Sequence, residues 1–298
     1  MAKIDVLCVG VSSYDLVFNV SHHPASDEKC TAEVLTLCGG GPAANAAVAV
    51  ARLGGSSAFA GYLGNDFYGR KHFEELRSEG VITDLIVRGD DPTSLSVVLV
   101  KPNGERSVIN YRPDHQRLKK RNIDFSRIQP GVILFDGHEP ALSLSLARQA
   151  RKQKMPIILD AGSMHCGTKQ LIDIVDVLIC SEKFAADFTG ETGMERALNK
   201  LYEHCPDVII TLGEKGLLWK RKKENGHFPS FKIKAVDTTG AGDTFHGVFA
   251  FCVATGKSWE ETLRFSSAAA ALCCTKIGAR KGIPDKKKLE RFLKDQIR

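Results

Sequence analysis

The sequence predicts an α/β fold built on a mostly parallel sheet with helices on both faces. Three observations predict it. Short unbroken apolar runs recur through the chain, longer helical patterns separate most of them, and two extended stretches interrupt the alternation. Strands buried on both faces read as continuous apolar runs, and strands that alternate with helices assemble in parallel.

The strand-length runs lie at 5–10, 57–62, 132–136, 157–160, 177–180 and 208–212. Helical patterns fill 42–53, 66–78, 140–153 and 194–204. Ligands in such sheets bind at the carboxyl ends of the strands. Segments 14–37 and 93–111 look extended. In the second, runs at 94–100 and 107–111 flank Pro102-Asn103-Gly104. Asn-Gly between alternating apolar runs is a strong hairpin signal. Such antiparallel strands form either a small sheet closing over a site or an extension of the main sheet's edge. After Thr211 the pattern predicts strands at 216–220 and 231–236, then helices at 242–254, 258–274 and 285–297. The Lys286-Lys287-Lys288 run falls on the last of these as a solvated face. No repeat, low-complexity tract or long linker divides the chain, so residues 1–298 are expected to form one domain.

Of the 298 residues, 43% are hydrophobic and 26% charged, as in a soluble protein with room for a sizeable core. The net charge of +6 is mild. It is either plain surface charge or a bias toward an anionic ligand such as a nucleotide or sugar phosphate. No basic stretch is interleaved with aromatics, so a nucleic-acid partner is not expected. Nine cysteines, with no CxxC pair, read as reduced thiols of a cytoplasmic protein. The opening MAKIDVLCVG reads as a first strand rather than a signal peptide. No stretch of about 18 apolar residues predicts a membrane span.

Residues 237–247, DTTGAGDTFHG, carry the chemistry. An expected strand ends at Asp237; Thr238, Thr239, Gly240, Ala241 and Gly242 then lead into an apolar helix. Small residues let the backbone turn sharply and approach a ligand. The first free amides of the helix, at the positive end of its dipole, make an anion site fit for a transferring phosphoryl group. Asp243 in the first turn either takes a proton from an attacking hydroxyl as a general base or simply caps the helix. Two rival nucleotide motifs fail. Gly256-Lys257-Ser258 mimics the end of a P-loop, but Phe251 stands where that loop's first glycine belongs. Gly10, after the first strand, is followed by VSSYD, so no dinucleotide fingerprint is present there.

Residues 39–54, GGGPAANAAVAVARLG, form a second glycine motif, with Pro42 at a first helical position. Its glycines serve either as a plain turn or as bare backbone against a polyhydroxylated ligand. Asn45 is the one polar residue in the first turns of that helix, either exposed or a ligand contact.

On these two motifs the sequence resembles the ribokinase-like, or PfkB, carbohydrate kinases, essentially end to end. Residues 39–54 match the family's first signature and 237–247 its second, and GYLGNDFYGRKHFEELRSEGV at 61–81 resembles the stretch between them. The resemblance implies a three-layer α/β/α fold with a β-sheet lid, formed here by about 14–37 and 93–111. It implies in-line transfer of the ATP γ-phosphate to a sugar hydroxyl, with Mg²⁺ bridging the phosphates. By match, Asp243 is the base and the amides of Gly240, Ala241 and Gly242 form the anion hole. Asp15, Gly40, Gly41 and Asn45 match the residues that hold the sugar. Thr211, Gly213 and Gly216, in and beside TLGEKG, match the nucleotide-binding turn.

Departures from the family pattern matter. In SEKFAADFTG at 181–190, Ser181 replaces an Asn and Phe184 a Glu, leaving Glu182 beside ATP to take over a water-mediated Mg²⁺ contact. Asp237, Thr239, Gly278 and Gly282 align with the loops that hold a monovalent cation such as K⁺ in part of the family. Lys276 and Lys281 are an alternative source of positive charge there. Within the family the sequence looks most like the sulfofructose kinases, on both signatures, VINY at 108–111 and CTKIGARKGIPD at 274–285. Lys29 and Asn110 fall where those kinases face the sulfonate, but His138 stands where an Arg is expected, losing a planar fork for an oxyanion. A ketose-type sugar is therefore the expected substrate. His246 is expected to pack behind Asp243 rather than to react. A nucleoside kinase of the same fold and a sensor that binds sugar or nucleotide without turnover are the alternatives. Lid strands pair between subunits in part of the family, which implies a homodimer.

Overall fold

The computed structural model describes residues 2–113 and 118–296. The chain opens with β1 (Ala2–Val9), β2 (Ser13–Asn19), β3 (Val34–Gly40), α1 (Pro42–Arg52), β4 (Ser57–Gly64), α2 (Phe67–Ser78) and β5 (Ile86–Gly89). Next come β6 (Leu95–Val100), β7 (Arg106–Tyr111), β8 (Ile128–Phe135), α3 (Pro140–Lys152), β9 (Ile157–Ala161), α4 (Cys166–Leu171) and β10 (Val177–Ser181). The remainder holds α5 (Glu182–Thr189), α6 (Met194–Tyr202), β11 (Asp207–Thr211), β12 (Leu217–Arg221), β13 (Glu224–Phe228), α7 (Ala241–Ala254), α8 (Trp259–Cys273) and α9 (Lys286–Asp295). The expected end of the last helix at 297 lies outside the described residues.

Nine strands form one sheet in the order β13-β12-β11-β10-β9-β8-β1-β4-β5. All neighbours from β11 to β5 are parallel, and β12 and β13 close one edge antiparallel. Side chains alternate between two cores. Val6, Cys8, Val132, Leu134 and Ile179 face α1, α7 and α8, whereas Leu7, Val9, Ile133, Phe135 and Leu178 face α3, α4 and α6. That alternation is the physical content of the three layers.

The helix starts are chemically specified. Asp66 caps α2 by accepting from Gly69 N at 2.7 Å, and Ser258 with Glu261 forms a capping box on α8. Pro42 opens α1 after Gly41. The alanines of α1 let it lie directly on α7. A Cβ at Gly247 would come within 2.4 Å of Ala46 O, so the helices meet backbone to backbone.

A second sheet has the order β3-β2-β6-β7. Of the two arrangements open from sequence, these segments form this separate sheet and leave the main sheet's edge to β5. Position-by-position pairing gives it two unlike faces. Asp15 lies across from Cys38 and Ser96, and Ser96 from Asn110, on one face. Leu37, Leu16, Val97 and Ile109 form a row on the other.

The segment 231–236, expected as a strand, joins no sheet. Val236 N and Asp237 N both donate to Cys274 O, docking the segment on the end of α8. The sheet edge is taken instead by β13, reached through a tight turn at Lys222 and Lys223 with φ of 46° and 70°.

Candidate active site

The site lies where α1 and α7 begin. Gly240 is the N-cap of α7, in the left-handed region at φ 77°, and a Cβ there would press to 2.7 Å from Ala279 O. The turn therefore needs glycine. The amides of Gly240, Gly242 and Asp243 have no acceptor among the described residues. Ala241, expected with the anion-holding amides, instead gives its N–H to Thr238 O at 3.3 Å to close the turn. Three unpaired amides at a helix start still make an anion site.

Asp243 does not cap the helix. Its Oδ2 accepts from Asn45 Nδ2 at 2.7 Å, across 198 positions of sequence. Asn45 is 2% exposed, so the reading of it as an exposed helix residue is set aside. Its Oδ1 accepts from Arg280 Nε at 3.0 Å. The two glycine motifs thus share one site, because α1 and α7 touch.

Asp15 stands at the lid side of the same site. It is buried against Gly40, and Ser13 Oγ donates to its Oδ1 at 2.9 Å. Burial raises its carboxyl to about 6, against the opposing pull of the Ser13 hydroxyl and of Arg280. Asp136, which sequence reasoning passed over, ends β8 and accepts from Val11 N, Ala43 N and His138 N at 2.9, 3.3 and 2.9 Å. It ties the loops after β1 and β8 to the first turn of α1 at the carboxyl end of the sheet, and burial pushes it up to about 7. Its signal was a lone acid ending an apolar run.

The remaining expected sugar contacts are scattered along the rim. Asn110 is exposed on β7, and its Oδ1 accepts from Ser96 Oγ at 3.0 Å. His138 follows β8, stacks on His165 with ring centres 4.2 Å apart, and takes a 3.0 Å bond on Nδ1 from Arg112. A guanidinium only donates, so this imidazole is neutral. Burial, then Arg112 and His165, hold its pKa down at about 2. Lys29 is exposed between β2 and β3 and makes no hydrogen bond or ion pair among the described residues.

The residues expected to hold the nucleotide gather at the ends of β10 and β11. Ser181 caps α5, accepting from Phe184 N at 3.0 Å and donating to Gly162 O at 3.0 Å. Glu182 opens that helix, exposed. Thr211 Oγ1 donates to Cys180 O at 3.2 Å. Gly213 and Gly216 bound a single helical turn after β11.

Asp237 is fully buried. Its Oδ1 accepts from Thr239 N and Oγ1 at 2.8 and 2.6 Å, and its Oδ2 from Gly278 N at 2.8 Å. Gly282 packs under Cys273 O. Asp237, Thr239 and Gly278 are thus hydrogen-bonded together across two segments, while Gly282 is not part of that network. Arg106 of β7 donates to Thr238 Oγ1, so the smaller sheet reaches the loop that precedes α7. His246 lies behind the first turn of α7, with Nδ1 2.6 Å from Gly242 O and 3.3 Å from Asp160 Oδ2.

An acid beside unpaired amides, near a smaller sheet that carries a second acid, meets the needs of phosphoryl transfer to a hydroxyl and sets the chain among α/β phosphotransferases. Residues 3–286 match the model of the pfkB family carbohydrate kinases, and the chain belongs to that family. It is 30% identical to a ribokinase of Haemophilus influenzae over 96% of this chain and 97% of that one. A probable fructokinase of Arabidopsis thaliana is 30% identical over 86% of this chain and 88% of its own length. A ribokinase of Arabidopsis thaliana, solved with ribose and ATP, superposes with a TM-score of 0.86 at 29% identity, covering 98% and 99% of the two chains. The protein is a sugar kinase, a phosphotransferase with an alcohol acceptor.

Proposed function

We propose that the chain transfers the γ-phosphoryl group of ATP to a hydroxyl of a ketose-type sugar, with Asp243 as general base. The observation that carries this reading is the 2.7 Å bond from Asn45 to Asp243, which joins the sugar-side glycine loop to the phosphate loop. With Oδ2 held by Asn45, Asp243 Oδ1 has no partner among the described residues and is free to take the hydroxyl proton. Such general-base help is worth ~10²–10⁴-fold in rate. The amides at the start of α7 and the helix dipole stabilise charge on the phosphoryl group in flight. Asp15, Gly40, Gly41 and Asn45 hold the sugar, and the turn after β11 with Ser181 and Glu182 holds ATP.

Among the described residues no group of three metal-ligating side chains exists, so Mg²⁺ would arrive on the triphosphate, with Glu182 reaching it through water. When bound it neutralises phosphate charge. Asp237 Oδ2 accepts one hydrogen bond, from Gly278 N, and keeps acceptor capacity that a K⁺ ion could use together with backbone carbonyls nearby. The likeness to fructokinases supports a ketose, and the likeness to ribokinases makes ribose its rival in the screen below. Arg112 beside neutral His138 keeps a cation at the sugar rim, which leaves a sulfonated or phosphorylated ketose within the substrate class. Nine free thiols suit a reducing compartment, so the cytoplasm is the proposed location. No helix among the described residues is long and apolar enough to cross a membrane.

The test is a phosphate-transfer screen over fructose, ribose, sulfofructose, sugar phosphates and adenosine, run beside Asp243→Asn. A ketose is expected to give the highest kcat/KM; preference for ribose or adenosine overturns the substrate class. Asp243→Asn is expected to leave ATP binding nearly unchanged and to lower kcat by at least ~10²-fold. Near-normal turnover would remove Asp243 from the role.

A further inference from the structure

Arg280 heads the fully buried side chains, at 1% exposure. A guanidinium is expensive to bury unless its donors are met. Nε donates to Asn45 Oδ1 at 3.0 Å, and NH2 donates to His72 Nε2 at 2.5 Å. NH1 lies 3.2 Å from Glu75 Oε1, while Glu75 Oε2 accepts from Gly39 N at 2.6 Å. A Cβ at Gly39 would come within 2.2 Å of NH1, so the arginine occupies the space that glycine leaves. Its carbonyl accepts from Arg52 NH1 at 2.5 Å, and the preceding residues Gly278 and Ala279 touch Asp237 and Gly240. One short loop therefore contacts each part of the phosphate loop and, through Asn45, its acid.

The chemistry of the amide makes this contact directional. An Asn side chain presents a donor at one end and an acceptor at the other. Asp243 only accepts when ionised, and Arg280 Nε only donates. With Oδ1 on Arg280, the Asn45 NH₂ must face Asp243. Turned over, the amide would set its oxygen against the carboxylate and push it out of line. We propose that Arg280 is a positioning residue for phosphoryl transfer: it locks the orientation of the Asn45 amide and thereby holds Asp243 for the acceptor hydroxyl. This rests on the reading of Asp243 as the base.

Two substitutions separate that role from mere packing. In Arg280→Gln the side-chain nitrogen sits the same number of bonds from the backbone as Arg Nε, so the donor to Asn45 is kept while the charge is lost. Arg280→Met also loses the charge but sets a methyl group there. Arg280→Met is expected to lower kcat by roughly 10- to 100-fold, the range a misplaced catalytic group costs, with KM for ATP unchanged. Arg280→Gln is expected to recover most of that loss. In an Asn45→Ala background the two are expected to have equal kcat, since no amide remains to be oriented. Equal losses for Met and Gln in the presence of Asn45, or a Met cost that persists in its absence, overturn the proposal. If Arg280→Met gives no cooperative melt, Arg280→Gln decides alone. A kcat loss under about tenfold supports the proposal and a larger one overturns it. Asp243→Asn measured alongside reads the base assignment separately: if it keeps turnover, that reading fails whatever Arg280 does.

Discussion

Asp15 sits 5% exposed with its carboxyl held up near 6, chiefly by burial. If it holds sugar hydroxyls, it must be ionised to accept from them. Above about 6 the carboxylate form prevails; as pH falls through that value the group takes a proton and loses acceptor strength. The KM for sugar is therefore expected to rise as pH falls below about 6, by roughly tenfold at pH 5 from proton linkage, while the KM for ATP stays flatter. Asp15→Asn is expected to weaken sugar binding at every pH and to flatten the profile. An unchanged pH dependence in that variant would assign it elsewhere, to Asp160 or Asp136, whose carboxyls are also raised, to about 6 and about 7. At this scale Asn45 and Asp243 stand out as short polar residues in glycine- and alanine-rich surroundings, whereas Asp15, within SSYDLVFNV, was reached only through the family resemblance. Arg280 was not legible. A single arginine in a basic tail looks solvated, and only the closing of α1 and α2 around it shows that it is buried.

The start of α7 is the element on which the site depends. Gly240 holds φ 77° with Ala279 O in the space a side chain would need. A non-glycine residue in that region costs about 1–2 kcal/mol even before the clash. Gly240→Ala is thus expected to melt several degrees lower than the parent and to lose kcat more than tenfold, since the unpaired amides and Asp243 turn together. A melting temperature and kcat like the parent's would mean that the turn can shift without harm. Regular elements were read well where periodicity is strong, as in the apolar runs of β1, β8 and β11. The short elements β5, α4 and α5 were missed, and so was the polar sheet edge. Glu224–Phe228 has few apolar residues, and its hairpin turn uses two lysines in left-handed geometry rather than Asn-Gly. In 231–236, by contrast, Lys232 and Lys234 alternate with Phe231 and Ile233 as in a strand, but the backbone bonds of Val236 and Asp237 go to the end of α8.

On the scale of the whole molecule, the second sheet poses a question of covering. One face carries Asp15, Ser96 and Asn110 together with the buried cluster Val17, Cys38, Val98 and Val100. The opposite face bears Leu37 at 45% and Ile109 at 64% exposure, with Leu35 at 50% in the neighbouring row. Contiguous apolar surface of this kind marks an interaction site more often than bare solvent contact. We propose a second copy of the chain as its occupant, because a two-fold axis would bring the same row of leucine, valine and isoleucine against itself. It would also steady the wall that carries Asp15. Sedimentation of the full chain is therefore expected to give a dimer at micromolar concentration. Ile109→Glu would set like charges against each other across the axis and is expected to give a monomer. If the dimer steadies the lid, that monomer has a raised KM for sugar and a nearly unchanged KM for ATP, because the turn after β11 lies on the other sheet. A parent chain that sediments as a monomer would remove the second copy as the occupant of this face. A monomeric Ile109→Glu with the parent's sugar KM would keep the dimer but uncouple it from the site.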